Sequence, residues 1–214
     1  MSPKHFDLSL YLVLDPDLCG GHNGMLDTAR LAARHGVTMV QLRAPNWKKK
    51  QWLQTAHALK EVLDHAHVPL IINDQVDIAL AVNAAGVHLG QADLPPEAAR
   101  RLLGAGKIIG LSTSNIAQLG GAPLDLIDYI GVGPVYATST KLDASPVIGL
   151  EQFSVLMGAK RLPAVAIGGI KHGTAAPLIK AGADGVAVVS AICGQGDVPL
   201  AARRLADEIA GARA

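Results

Sequence analysis

Eight short β-branched or aliphatic runs alternate with longer Ala-rich stretches of helical period, and this predicts an α/β chain whose parallel strands close into a single (β/α)8 barrel. Three observations carry the prediction. The alternation runs from end to end, the count of units is about eight, and 214 residues leave room only for short connections, as in a small barrel of this class.

Strands are expected at 10–14, 37–42, 70–72, 86–89, 108–111, 129–132, 164–167 and 185–189. Helical period marks 26–35, 52–65, 76–84, 96–103, 150–157, 174–181 and 200–210, with 116–119 the least regular segment. In the second strand, alternation of faces places Val37, Met39, Gln41 and Arg43 on one side and Thr38, Val40 and Leu42 on the other. Gly36, Gly86 and Gly182 follow helices and suit left-handed C-caps. An open doubly wound sheet is the competing architecture. It usually carries a Gly-rich dinucleotide turn after its first strand, and Cys19-Gly-Gly-His-Asn-Gly24 lacks that spacing. With no linker, solenoid repeat or low-complexity tract, residues 1–214 read as one barrel domain.

Half of the residues are apolar and only 17% are charged, so most of the chain is expected inside a large core. No apolar run approaches the roughly 20 residues that cross a bilayer. The N-terminal segment lacks the pattern of a secretory signal, so no membrane association and a cytoplasmic location are expected. A net charge of +1 and 3% aromatic residues argue against a nucleic-acid surface. Cys19 and Cys193 have neither disulfide-framework nor metal-ligand spacing and are read as reduced thiols.

In such a barrel the C-terminal ends of the strands build the site. Gln41 and Arg43 are expected side by side at that mouth, where a guanidinium suits phosphate oxygens; the alternative for Arg43 is a structural ion pair. Asn73-Asp74 ends the third strand, and the fourth leads through His88-Leu-Gly-Gln91 to Asp93, so adjacent strands each present a carboxylate able to share Mg²⁺ with substrate phosphate. Taken alone, Asp93-Leu-Pro-Pro-Glu reads better as a helix N-terminus with Asp93 as its cap. Ser112 closes the fifth strand. Thr138, Ser139, Thr140 and Lys141 follow the sixth, either as an anion-wrapping loop or as a solvated turn. Gly168-Gly169 after the seventh strand and Val189-Ser190 after the eighth fit a phosphate site, with glycine allowing close backbone approach. His88, within an apolar strand, reads as a hydrogen-bonded core histidine, and His65 and His67 receive no role.

The ordered blocks Val-Gln-Leu-Arg, Ile-Asn-Asp-x-Val-Asp, Gly-Val-His-Leu-Gly-Gln-x-Asp-Leu-Pro, Ile-Ile-Gly-Leu-Ser, Gly-Val-Gly-Pro-Val-Tyr-Ala-Thr-x-Thr-Lys, Ala-Ile-Gly-Gly-Ile and Ala-Gly-Ala-Asp-Gly-Val-Ala-Val-Val-Ser resemble the thiamine-phosphate synthase family from about Tyr11 to Ile192. The resemblance implies a (β/α)8 enzyme that joins an aminomethylpyrimidine diphosphate to a thiazole phosphate with Mg²⁺, releasing diphosphate. It implies Asp74 and Asp93 as the metal ligands, and gives Gln41, Arg43, Asn73, Ser112 and Lys141 to the pyrimidine diphosphate. Arg43, Lys141 and Ser112 carry the chemistry in this reading, while Thr138, Thr140, Gly169, Val189 and Ser190 hold the thiazole phosphate. The chain departs from the family at Ala44-Pro45, where an acidic residue and a lysine are usual, at Gln75 in place of Arg, and at Leu14 in place of Thr. Lys48, Lys49 or Lys50 is the candidate substitute for the missing lysine. Two other readings are a thiazole tautomerase of the same pathway, which has little need of the carboxylate pair, and a non-catalytic phosphate-binding barrel.

Overall fold

The computed structural model describes residues 6–138 and 146–214. Among these, the elements follow as β1 Leu10–Leu14, α1 Pro16–Cys19, α2 Gly21–Ala33, β2 Met39–Leu42, α3 Lys49–Asp64, β3 Leu70–Asn73, α4 Val76–Ala81, β4 Gly86–Leu89, α5 Pro96–Leu103, β5 Ile108–Thr113, α6 Ile116–Gly120, β6 Tyr129–Val132, α7 Gly149–Ala159, β7 Ala164–Ile167, α8 Ala176–Lys180, β8 Gly185–Val188 and α9 Val198–Arg213. The strands pair in parallel and in chain order, and β8 returns to β1 to close the barrel. No helix among the described residues is long and apolar enough to cross a membrane.

Side-chain alternation sorts the strands into two layers. Leu8, Tyr11, Val13, Met39, Ile71, Ile108, Tyr129, Val165 and Ala187 fill the barrel interior. Leu12, Val40, Leu42, Ile72 and Val87 point outward and pack with helix residues such as Met25, Ala29, Trp52 and Leu59. Val37 departs from its expected face and joins the outer layer. Its N–H still bonds Ala32 O at 3.1 Å, closing the end of α2, and the strand pleat begins only at Met39.

Other local expectations also shift. A short helix, α1, follows β1 directly: Asp15 caps it through Asp17 N and Leu18 N, both at 3.0 Å, with Pro16 in the first turn. The second helix starts at Gly21 rather than near Leu26, a case of packing overriding weak helix propensity in Gly-His-Asn-Gly. Gly36 and Gly182 take positive φ, as a left-handed cap requires. Gly86 does not: Asn83 takes that conformation instead, and Gly86 begins β4, where a Cβ would overlap the Ile108 carbonyl.

At the N-terminal ends of the strands, carboxylates tie the barrel shut. Asp128 Oδ2 accepts from Ile109 N and Arg100 Nη2, both at 2.8 Å, while Arg100 also donates to the carbonyls of Gly104, Lys107 and Leu126. Asp184 Oδ2 accepts from Ala164 N at 2.7 Å and pairs with Lys160. On α9, Glu208 reaches the start of α8, accepting from Gly173 N, Ala175 N and Ala176 N at 2.7, 2.9 and 2.8 Å.

Both cysteines are free thiols, but 174 positions of sequence separation do not keep them apart. Cys193 Sγ lies 3.6 Å from Val13 O, and the thiol's hydrogen bond to Cys19 brings the latter down to about 7 against the opposing effect of burial.

Candidate active site

Polar groups follow several of the strands at the C-terminal mouth. Gln41 lies deeper than the mouth position expected for it beside Arg43. It lies inside the barrel, 4% exposed, and its Nε2 donates to the Tyr11 hydroxyl at 2.7 Å. Arg43 follows β2 half-buried, held by its N–H to Leu14 O at 3.3 Å, and makes no ion pair among the described residues. The structural-ion-pair alternative for Arg43 therefore finds no partner there.

Asn73 ends β3 and turns its Nδ2 to Asp74 Oδ1 at 2.6 Å. Asp74 has φ +58°, a left-handed conformation that a short polar side chain tolerates better than most, and its N–H bonds His88 O at 2.9 Å. This bond carries the pairing of β3 and β4 one residue past the strand, so the loop bearing Asp74 is fixed to the strand that leads to Asp93. Asp93 is not a helix cap. The N-cap of α5 is Pro95, and the Asp93 carboxylate instead accepts from Gly90 N at 2.7 Å, closing the 90–93 turn.

Ser112 lies on the inward face of β5, with its Oγ 2.9 Å from His88 Nε2. His88 is the hydrogen-bonded interior histidine expected from sequence, and its other ring nitrogen lies 2.9 Å from the Tyr129 hydroxyl. Tyr129 in turn meets the Tyr11 hydroxyl at 2.9 Å. Sequence reading assigned no role to Tyr11 or Tyr129. Burial raises both phenols far above their ordinary range, so both hydroxyls keep their protons.

After β6 the chain folds onto the loop after β7. Val135 N bonds Ile167 O at 2.9 Å and Tyr136 N bonds Gly168 O at 3.0 Å. Gly168 and Gly169 have φ +98° and +66°, and a Cβ at either would press against Pro134 or Tyr136. Their lack of a side chain thus serves the chain's own loop, where sequence reading had assigned the close approach to a ligand. Thr138 ends the described part of this loop; Ser139, Thr140 and Lys141 lie outside the described residues. Past β8, Val189 is half-buried and Ser190 exposed, in a turn closed by Ile192 N and Cys193 N on Val189 O at 3.0 and 2.8 Å. Of the three candidate lysines, Lys49 reaches across to the loop after β3, bonding Gln75 and Asp77 Oδ1, the latter at 2.7 Å, next to Asp74.

Asp74 and Asp93 follow the neighbouring strands β3 and β4, and carboxylate oxygen is the ligand type that Mg²⁺ takes, commonly one or two with substrate phosphate and water completing its shell. Among the described residues there is no cluster of three or more His, Cys, Asp or Glu side chains.

Comparison with known proteins agrees with this architecture. A family model described as thiamine monophosphate synthase matches residues 10–192. The thiamine-phosphate synthase of Laribacter hongkongensis is 52% identical over 202 residues, covering 94% of this chain and 95% of the relative. That of Azorhizobium caulinodans is 50% identical over 203 residues, covering 95% of each. A solved structure, thiamine phosphate pyrophosphorylase from Pyrococcus furiosus, superposes with a TM-score of 0.87 at 32% identity over 97% of this chain and 98% of the other. Barrel, strand-end residues and near-full-length similarity together show that this chain belongs to the thiamine monophosphate synthase family.

Proposed function

We propose that the chain is the transferase its relatives are named for, joining an aminomethylpyrimidine diphosphate to a thiazole phosphate, with Mg²⁺ held by Asp74 and Asp93. In this reaction the bond between the pyrimidine methylene carbon and the diphosphate oxygen breaks, the thiazole nitrogen forms the new C–N bond, and diphosphate leaves. No side-chain nucleophile is needed. The observation that carries the reading is that the matched span 10–192 contains the whole strand-end set, from Gln41 and Arg43 through Asp74, Asp93 and Ser112 to Ser190.

Mg²⁺, when bound, supplies positive charge to the diphosphate oxygens. Arg43 and Lys141 offset the charge that grows on the departing diphosphate, and Ser112 donates to it. Asn73 orients the Asp74 carboxylate through the hydrogen bond described above. Thr138, Ser139 and Thr140 with Gly169, Val189 and Ser190 form the second anion site, for the thiazole phosphate. Lys49, anchored beside Asp74 by Gln75, stands in for the lysine that Pro45 replaces.

The test is an assay of purified protein with both substrates, with and without Mg²⁺ and with an EDTA control. Thiamine phosphate and diphosphate are expected in equal amounts, only with both substrates and metal. Binding of both substrates without product refutes the synthase reading, and full turnover in EDTA refutes the metal assignment.

A further inference from the structure

We propose that Gln41, Tyr11, Tyr129, His88 and Ser112 form a one-way hydrogen-bond relay across the barrel interior that keeps the Ser112 hydroxyl as a donor toward the mouth. Tyr129 and His88 are then positioning residues for anion capture. The proposal rests on the reading above that Ser112 faces the diphosphate.

The chain is continuous. Gln41 Nε2 lies 2.7 Å from Tyr11 Oη, Tyr11 Oη 2.9 Å from Tyr129 Oη, Tyr129 Oη 2.9 Å from His88 Nδ1, and His88 Nε2 2.9 Å from Ser112 Oγ. It draws on five strands, β2, β1, β6, β4 and β5. Each phenol has one proton to give. The Gln41 amide donates to Tyr11, so the Tyr11 hydroxyl donates to Tyr129 and the Tyr129 hydroxyl donates to His88 Nδ1. That leaves His88 neutral with its proton on Nε2, donating to Ser112. Ser112 Oγ, already an acceptor, turns its own proton outward. If His88 Nδ1 donated to Tyr129 instead, one of the two phenol protons, that of Tyr11 or that of Tyr129, would find no acceptor among the described residues, a costly state for fully buried groups.

The packing is built around these rings. Tyr129 and His88 lie with centroids 5.4 Å apart, and Tyr11 meets Tyr129 edge-on at 6.1 Å. Room for them comes from glycines on the inward faces of β5 and β6. A Cβ at Gly110 would lie 2.5 Å from His88 Nδ1, and one at Gly131 3.0 Å from His88 Cε1.

Two measurements test the relay, and neither needs turnover. Nitrogen-15 NMR of the ligand-free protein is expected to show His88 Nδ1 unprotonated and Nε2 protonated, with the other tautomer becoming populated in Tyr129→Phe; a proton on Nδ1 in the wild-type protein overturns the proposal. Calorimetric titration with inorganic diphosphate and Mg²⁺ is expected to show about tenfold weaker binding for Tyr129→Phe and for Ser112→Ala, the loss of one hydrogen bond to a charged group. The double variant is expected to be no weaker than Ser112→Ala, because both changes remove one interaction. Additive losses overturn the relay. Should Tyr129→Phe not fold, the His88 tautomer in the wild-type protein decides between the relay and its reverse by itself. Coupled losses in a wild-type background that binds diphosphate but forms no thiamine phosphate support the relay while refuting the synthase reading.

Discussion

Replacing Glu208 removes the carboxylate that fastens the loop after β7 to α9. Glu208 is 10% exposed and accepts three backbone N–H groups, from Gly173, Ala175 and Ala176, with the His172 ring nitrogen at 3.1 Å. Gly173 is exposed and can turn to water, whereas Ala175 is fully buried and would lose its only compensation. One stranded donor and one weakened one at roughly 1–2 kcal/mol each give about 2–4 kcal/mol for Glu208→Ala. For a chain of this size that lowers Tm by about 4–16 °C. Glu208→Gln should recover part of this, since its oxygen still accepts.

The same contact has a pH signature. Burial pushes the Glu208 carboxyl up, but the N–H groups of Ala176, Gly173 and Ala175 and the His172 ring together push it further down, to a net position below its ordinary 4.5. A folded-state pKa below the unfolded one contributes stability that is fully present above the unfolded value and is lost as pH falls through the folded value. Wild-type stability should therefore decline below about pH 4.5 more steeply than that of Glu208→Gln. Thermal unfolding reads the first effect and urea unfolding across pH 3–7 the second; an unchanged Tm for Glu208→Ala, or parallel acid profiles, would refute the account.

Thr113→Val should stabilise the fold by about 1 kcal/mol, because the Thr113 hydroxyl is 2% exposed and has no hydrogen-bond partner among the described residues. Denaturant midpoints measure it, and a destabilised variant would show that the hydroxyl is satisfied. Asp93→Ala should cut turnover by about 100-fold or more while costing about 1 kcal/mol of stability, the latter from the lost Gly90 N–H bond. Steady-state assays set beside thermal unfolding separate the two, and unchanged activity would confine Asp93 to closing its turn.

Much of the mouth was legible in sequence because strand ends are local. The alternation that puts Met39 and Gln41 inward, and the Asn73-Asp74 and Ser112 positions at strand ends, follow from a period of two and the end of an apolar run. Position along a strand did not reveal depth. Gln41 was expected at the mouth beside Arg43, yet two residues of strand rise put it one layer down, within reach of Tyr11. Asp93 shortly before two prolines looked like a cap, but the helix begins at Pro96, two residues later than that reading needs, leaving the carboxylate to the Gly90 turn.

Sequence by itself thus determined the eight βα units, the layer to which most strand side chains belong and the strand-end polar set, since each depends on residues a few positions apart. Tertiary structure alone decided which of those groups meet. Tyr11 and Tyr129 are 118 positions apart and His88 and Ser112 are 24, and their hydrogen bonds exist only because closing the barrel turns β1, β4, β5 and β6 toward one axis. Periodicity says which face a residue takes; which partner waits there depends on the register and closure of the whole barrel.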